Sequence, residues 1–179
     1  MPCAVFHFHG ELDALLAPAR RGRDFAHRCA EHASLKHAIE SLGVPHTEIG
    51  RACVDGRPGA LDEPVRGGCR VDVFPAMPLQ PGPGEAPPRF LADAHLGALA
   101  RQLRLLGFDT RLANDHADHE LALLARDEDR IVLSRDRELL KHLLVHRGRW
   151  LRSQRPDAQL AEVAAHYALR ERLRPFSRC

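Results

Sequence analysis

The stretch Met77-Pro-Leu-Gln-Pro-Gly-Pro-Gly-Glu-Ala-Pro-Pro88 constrains this chain more than any other. It holds five prolines and two glycines in twelve residues. Proline lacks the backbone N–H that a helix or sheet ladder needs, and its ring fixes φ. Neither a helix nor a central strand can run through such a stretch. The 179-residue chain therefore divides into two domains, 1–76 and 89–179, joined by a semi-rigid linker at 77–88.

A hydrophobic content of 44% is enough for ordinary cores, and with only 5% aromatics the packing falls to aliphatic side chains. No run approaches the roughly 18 apolar residues of a membrane span, and Met1-Pro-Cys-Ala4 lacks the basic start of a signal peptide. Five cysteines, Cys3, Cys29, Cys53, Cys69 and Cys179, are an odd number without a C-x-x-C pair. That pattern suits reduced thiols, so the expected compartment is the cytoplasm and no membrane partner is expected. The net charge of +2 is unevenly spread. Residues 1–76 carry 9 Lys/Arg against 10 Asp/Glu, net −1, and residues 89–179 carry 17 against 13, net +4. Within 135–179 the count is 11 against 5, net +6, which suits a polyanionic substrate as well as a solvated Arg-rich surface.

The first unit reads as α+β. Ala4–His9 is a strand ending near Gly10, with Arg23–Cys29 as its hairpin partner. Ser34 is an N-cap for a helix with Ile39 and Leu42 on one face, closed by Gly43 and Pro45. Ile49–Val54 and Cys69–Phe74 are further strands, the former followed by an Asp55-Gly56 turn. The order strand, strand, helix, strand, strand resembles the β-grasp, or ubiquitin-like, fold. Leu35–Gly43 and Phe74-Pro75 bring it closest to small sulfur carriers. Those carriers need a free C-terminal Gly-Gly, whereas Gly67-Gly68 here is internal, so carrier chemistry is not expected.

The second unit alternates strand and helix. Arg89–Asp93, Phe108–Leu112, Ile131–Leu133 and Arg149–Leu151 read as strands. Between them, Leu96, Leu99, Leu103 and Leu106 recur at helical spacing, as do Leu121, Leu124 and Ala125, and Leu139, Leu140, Leu143 and Leu144. A last helix is expected over Gln159–Leu173, with Leu160, Val163, Ala164 and Tyr167 inward. Such alternation implies a parallel sheet covered on both faces.

Two of these strands stop on or just before an aspartate, Asp93 and Asp136, and Asp118 opens the helix between them. Right-handed crossovers put all three at the carboxyl edge of the sheet, where open α/β sheets bind ligands. Gathered carboxylates repel unless a cation neutralises them, and they suit hard divalent ions that activate water for phosphodiester cleavage. Each also has a plain use as a helix cap. Arg135 and Arg137 flank Asp136 and suit phosphate binding, or local pairing with an acid. His95 reads as an exposed loop residue. His142 and His146 lie i, i+4 on an expected helix but lack a third ligand, and His7 and His9 share a strand face with no evident acidic partner.

Arg89-Phe-Leu-Ala-Asp-Ala-His-Leu-Gly-Ala-Leu-Ala-Arg-Gln-Leu-Arg-Leu-Leu-Gly-Phe-Asp-Thr110 and Ile131-Val-Leu-Ser-Arg-Asp-Arg-Glu-Leu-Leu140 resemble the Mut-seven C-terminal RNase family, a branch of the PIN-like nucleases. The resemblance covers most of 89–179, and its members often carry an N-terminal ubiquitin-like domain. It implies an α/β PIN-like domain and a ribonuclease using Mg²⁺ or Mn²⁺. Asp93, Asp118 and Asp136 would be the catalytic metal ligands, with Glu120 and Asp115 as alternatives at the middle position. With RNA as substrate, the phosphate-binding reading of Arg135 and Arg137 becomes contact with its backbone, beside the local-pairing alternative. The family usually continues into a zinc ribbon with two cysteine pairs. Arg174–Cys179 resembles its start, but one cysteine cannot hold zinc, so no zinc is expected in this chain. PIN-like domains often form homodimers, and a ubiquitin-like domain offers a surface for a protein partner. The rival expectation is a non-catalytic RNA-binding adaptor that recruits a partner through that domain.

Overall fold

A computed structural model describes residues 1–80, 82, 84–114, 117–175 and 177. The chain forms two compact units, Met1–Ala76 and Met77–Cys179.

In the first unit, β1 (Cys3–Phe8) alternates outward and buried residues, and Phe6 and Phe8 enter the core. A 3-10 turn at Gly10–Leu15 adds Leu12 and Leu15 to that core before β2 (Phe25–Arg28) returns antiparallel to β1. Ser34 caps α1 (Leu35–Ser41) by accepting the His37 N–H at 3.2 Å, and Gly43 ends the helix at a φ of +96°. β3 (Ile49–Val54) turns through Asp55 and Gly56, both at positive φ, into β4 (Arg57–Gly59), a short strand absent from the sequence reading. β5 (Arg70–Pro75) runs parallel to β1 and antiparallel to β3. The order β2-β1-β5-β3-β4 with one helix is the expected β-grasp arrangement. Gly67-Gly68 lies just before β5.

The second unit begins with the proline-rich stretch. Leu79 N–H donates to His166 O at 2.7 Å, and Arg172 holds Ala86 O at 2.9 Å and Glu85 at 3.1 Å. Then come β6 (Phe90–Asp93), α2 (Gly97–Leu105), β7 (Thr110–Ala113), α3 (Asp118–Asp127), β8 (Ile131–Ser134), α4 (Arg137–Lys141), β9 (Gly148–Trp150) and α5 (Pro156–His166). All strand pairs are parallel, in the order β7-β6-β8-β9. β6 and β8 are buried throughout, as strands covered on both faces must be. One face packs Phe90, Leu99, Leu103, Leu133 and Val163, and the other packs Leu91, Leu121, Val132 and Leu140.

Two helices are shorter than expected. α4 ends at Lys141, and His142, at a ψ of 134°, leaves the helical conformation, so Leu143 is exposed and His142 and His146 do not share a helix. The reason is the path of the chain: β9 starts at Gly148, and the residues after Lys141 are needed to reach it. α5 stops at His166, and Ala168 at a φ of +49° starts a separate 3-10 turn that tucks Leu169 into the core. No helix among the described residues is long and apolar enough to cross a membrane.

Candidate active site

The order β7-β6-β8-β9 reverses direction between β6 and β8, the first and third strands of the unit. Open α/β sheets bind ligands in the crevice beyond the carboxyl ends of strands at such a switch point. Asp93 ends β6 there, and Ser134 ends β8 one residue before the α4 loop that carries Arg135 and Asp136. A single hydroxyl joins the Asp93 carboxylate to the main chain of Asp136. Ser134 Oγ donates to Asp93 Oδ2 and accepts the Asp136 N–H at 2.8 Å. Arg135 N–H also reaches Asp93 Oδ2, at 3.3 Å, and His95 N–H donates to its Oδ1 at 3.0 Å. Asp93 is buried, and three donors hold its carboxylate in one orientation.

Of the three capping roles weighed from sequence, those of Asp93 and Asp136 are met and that of Asp118 is not. Asp93 caps the 3-10 turn Ala94–Leu96, and Asp136 caps α4 by accepting the Glu138 N–H at 2.8 Å. Asp118 is instead the first residue of α3, behind its N-cap Ala117. It is exposed on the first turn with Glu120. Asp115 and Cys179 lie outside the described residues. Among the described residues no group of three or more His, Cys, Asp or Glu is assembled closely enough to hold a metal ion. The site residues the structure visibly links are Asp93 and Asp136, through Ser134.

The charge environment separates these aspartates from others in the domain. At the opposite edge of the sheet, Arg130 is buried and donates to Asp109 Oδ1 at 2.8 Å, Glu128 Oε2 at 2.6 Å and Phe90 O at 3.1 Å. The Arg130 hydrogen bond, with Arg111 nearby, holds the Glu128 carboxyl below the ordinary glutamate range. Burial pushes the Arg130 guanidinium down, but its bonds to Asp109 and Glu128 outweigh that and raise it. At the carboxyl edge, Asp93, Asp118 and Asp136 have no Arg, Lys or His ion-pair partner among the described residues. In an Arg-rich domain this leaves negative charge for a ligand to neutralise.

Sequence reasoning missed three neighbours of the site. Ser134 was visible only as a strand residue. Trp150 is the β9 partner of Ser134, its indole Nε1–H donates to Arg135 O at 3.2 Å, and Arg137 lies over its ring. His119, beside Asp118, meets His142 at 3.4 Å between ring nitrogens. Leu144 N–H donates to His142 Nδ1, so in the neutral ring His142 Nε2 carries the proton toward His119 Nδ1. In the first unit, His7 and His9 do have acidic partners, Asp24 at 2.6 Å and Asp72 at 3.0 Å. These lie 17 and 63 residues away and were invisible to a local reading.

Comparison with known families agrees with this architecture. The model described as Mut7-C RNAse domain matches residues 88–179, and the one described as Mut7-C ubiquitin matches residues 1–80. No curated protein and no solved structure matches the chain significantly. With a nuclease-type domain over the carboxyl half and a ubiquitin-like domain before it, the chain belongs to the Mut7-C RNase family.

Proposed function

We propose that the protein is a metal-dependent ribonuclease that hydrolyses RNA phosphodiester bonds at Asp93, Asp136 and Asp118. One observation carries the reading. In a Mut7-C RNase domain, Asp93 ends β6 and Asp136 caps α4 just past the end of the neighbouring β8, with Ser134 bonded to the Asp93 carboxylate and the Asp136 N–H, and neither aspartate has a cationic partner among the described residues. The donor set fits a hard divalent cation, because it consists of carboxylate oxygens. Asp93, Asp136 and Asp118, with Glu120 beside it, would hold Mg²⁺ or Mn²⁺. Such an ion supplies activated water and neutralises charge on the phosphate.

The chain's own residues prepare the rest. Ser134 and the two backbone N–H groups keep Asp93 from rotating away from the crevice. Arg135 is exposed and Arg137 half-buried on either side of Asp136, and their forked donors suit phosphate oxygens. The described cysteines, Cys3, Cys29, Cys53 and Cys69, are all free thiols, in keeping with a cytoplasmic setting.

The adaptor reading has its own support. Asp93 and Asp136 already serve as caps, and no three-ligand group is assembled among the described residues. Incubation of labelled single-stranded and structured RNA with Mn²⁺ or Mg²⁺ separates the two, using wild type, Asp93→Asn and Asp136→Asn. Cleavage that needs the metal and disappears in both variants is the expected result. RNA binding without cleavage under any metal would transfer the assignment to the adaptor.

A further inference from the structure

The first unit leaves one strand edge open. Among the described residues β2 pairs with β1 alone and is the last strand of its sheet. Cys29 N–H donates to Pro2 O at 2.9 Å, and the antiparallel register alternates from there, so His27 and Phe25 turn their backbone groups toward β1. Ala26 and Arg28 turn theirs to the open side, and both residues are exposed. The inner side chains of the strand are only half-buried. Phe25 stacks on Phe8 with centroids 6.2 Å apart, and His27 Nε2 reaches Ser41 Oγ of α1 at 3.1 Å. Charge is concentrated along the same edge. Residues 20–28 carry four arginines and one aspartate, net +3, while the rest of 1–76 carries 5 Lys/Arg against 9 Asp/Glu, net −4. That one aspartate, Asp24, is taken up by Arg70 and His7, each at 2.6 Å. Arg23 and Arg28 are exposed and have no acidic partner among the described residues.

We propose that the open edge of β2 docks an extended segment of a partner protein in which apolar and acidic side chains alternate. The segment adds a strand to the sheet by bonding the outward N–H and C=O groups of Ala26 and Arg28. Successive side chains of a strand point to opposite faces. One row of the incoming strand therefore covers Phe25 and His27 and is apolar. The other lies on the outer face with Arg28 and is acidic. Charged side chains on an edge also keep it from pairing with further copies of itself. That use excludes one occupant, since a second β2 brings the same arginines and is repelled. RNA answers the arginines but not the evenly spaced backbone groups, so the geometry favours a peptide. The inference is independent of the nuclease reading.

The test titrates the full chain with a short labelled peptide of alternating valine and aspartate and reads its anisotropy. The controls are the same peptide with lysine for aspartate, and two versions N-methylated on the valines or on the aspartates. A labelled single-stranded RNA is run beside them. The acidic peptide is expected to bind and the lysine peptide to stay free. One methylated version should lose binding and the other keep it, because only alternate amides of an added strand face the sheet. Arg23→Gln combined with Arg28→Gln should weaken binding about 3- to 30-fold, the effect of losing two exposed ion pairs. Ala26→Pro removes an outward N–H and no bond to β1, so it should fold and lose the peptide. Should it fail to fold, the methylated peptides decide. Wild type that ignores the acidic peptide overturns the proposal, as does a double arginine variant that binds within twofold of wild type. Both methylated peptides binding like the parent would also overturn it. RNA binding that falls in the double variant, with the peptide ignored throughout, would reassign the edge to nucleic acid.

Discussion

Ser134 shows what one side chain decides. Its hydroxyl is both donor to Asp93 and acceptor from Asp136, so removing it leaves a buried carboxylate short of a partner. Ser134→Ala is expected to lower stability by about 1–3 kcal/mol. It should also lower RNA cleavage about 10- to 100-fold, the usual effect of losing a group that orients a metal ligand. Thermal melts and initial rates on the same preparation check both. Rates that fall no further than the folded fraction would reduce Ser134 to a structural part. This pairing could not be read from the sequence: Ser134 and Asp93 are 41 residues apart, and only the parallel register of β6 and β8 brings them together. The aspartates themselves were legible, because each sits where a buried run stops.

Among the elements, the turn after α2 is the tightest. Gly107 has a φ of +96°, and a Cβ there would stand 2.2 Å from the Arg174 carbonyl oxygen. Gly107→Ala therefore combines backbone strain with a collision against main chain. We expect a loss of roughly 1–3 kcal/mol, measured by denaturant unfolding, and possession of wild-type stability would contradict the close approach. The sequence marked Gly107 as a helix stop but could not show that the chain returns to it 67 residues later. The helices that sequence overextended, α4 and α5, have the same lesson. Leu143 and Leu144 continue the leucine spacing, yet the need to reach β9 ends α4 at Lys141. Where periodicity and chain path disagree, the path wins, since a few weak propensities cannot offset a misplaced buried strand.

At the scale of the molecule, arginine–carboxylate networks set the response to pH. Glu128 is held down first by its Arg130 hydrogen bond, and Asp72 and Asp24 first by theirs to Arg70. Each folded pKa lies below its unfolded value, so the stabilisation is complete above the ordinary carboxylate range and is lost as pH falls through the lowered values. Melting temperature should decline on acidification below about pH 4. In Arg130→Met, already less stable because Asp109 and Glu128 lose their shared partner, that decline should be shallower. A parallel decline in the variant would exclude the network as its source. The proline-rich stretch is tested by length. Because Leu79, Glu85 and Ala86 bond to His166 and Arg172, a fragment starting at Met77 should melt above one starting at Arg89.

Local sequence determined much of this protein by itself: two units divided near the prolines, a β-grasp order followed by alternating strands and helices, and aspartates at strand ends. Those features depend on side-chain period, on proline's missing donor and on glycine's freedom, all of which act within a few residues. Tertiary structure alone decided which aspartates share a partner, which carboxylates arginines neutralise, and that Trp150 stands beside Ser134. It also supplied His7 and His9 with Asp24 and Asp72. Such contacts join residues far apart in the chain, and they exist only once strand order and register have been chosen by the burial of both sheet faces.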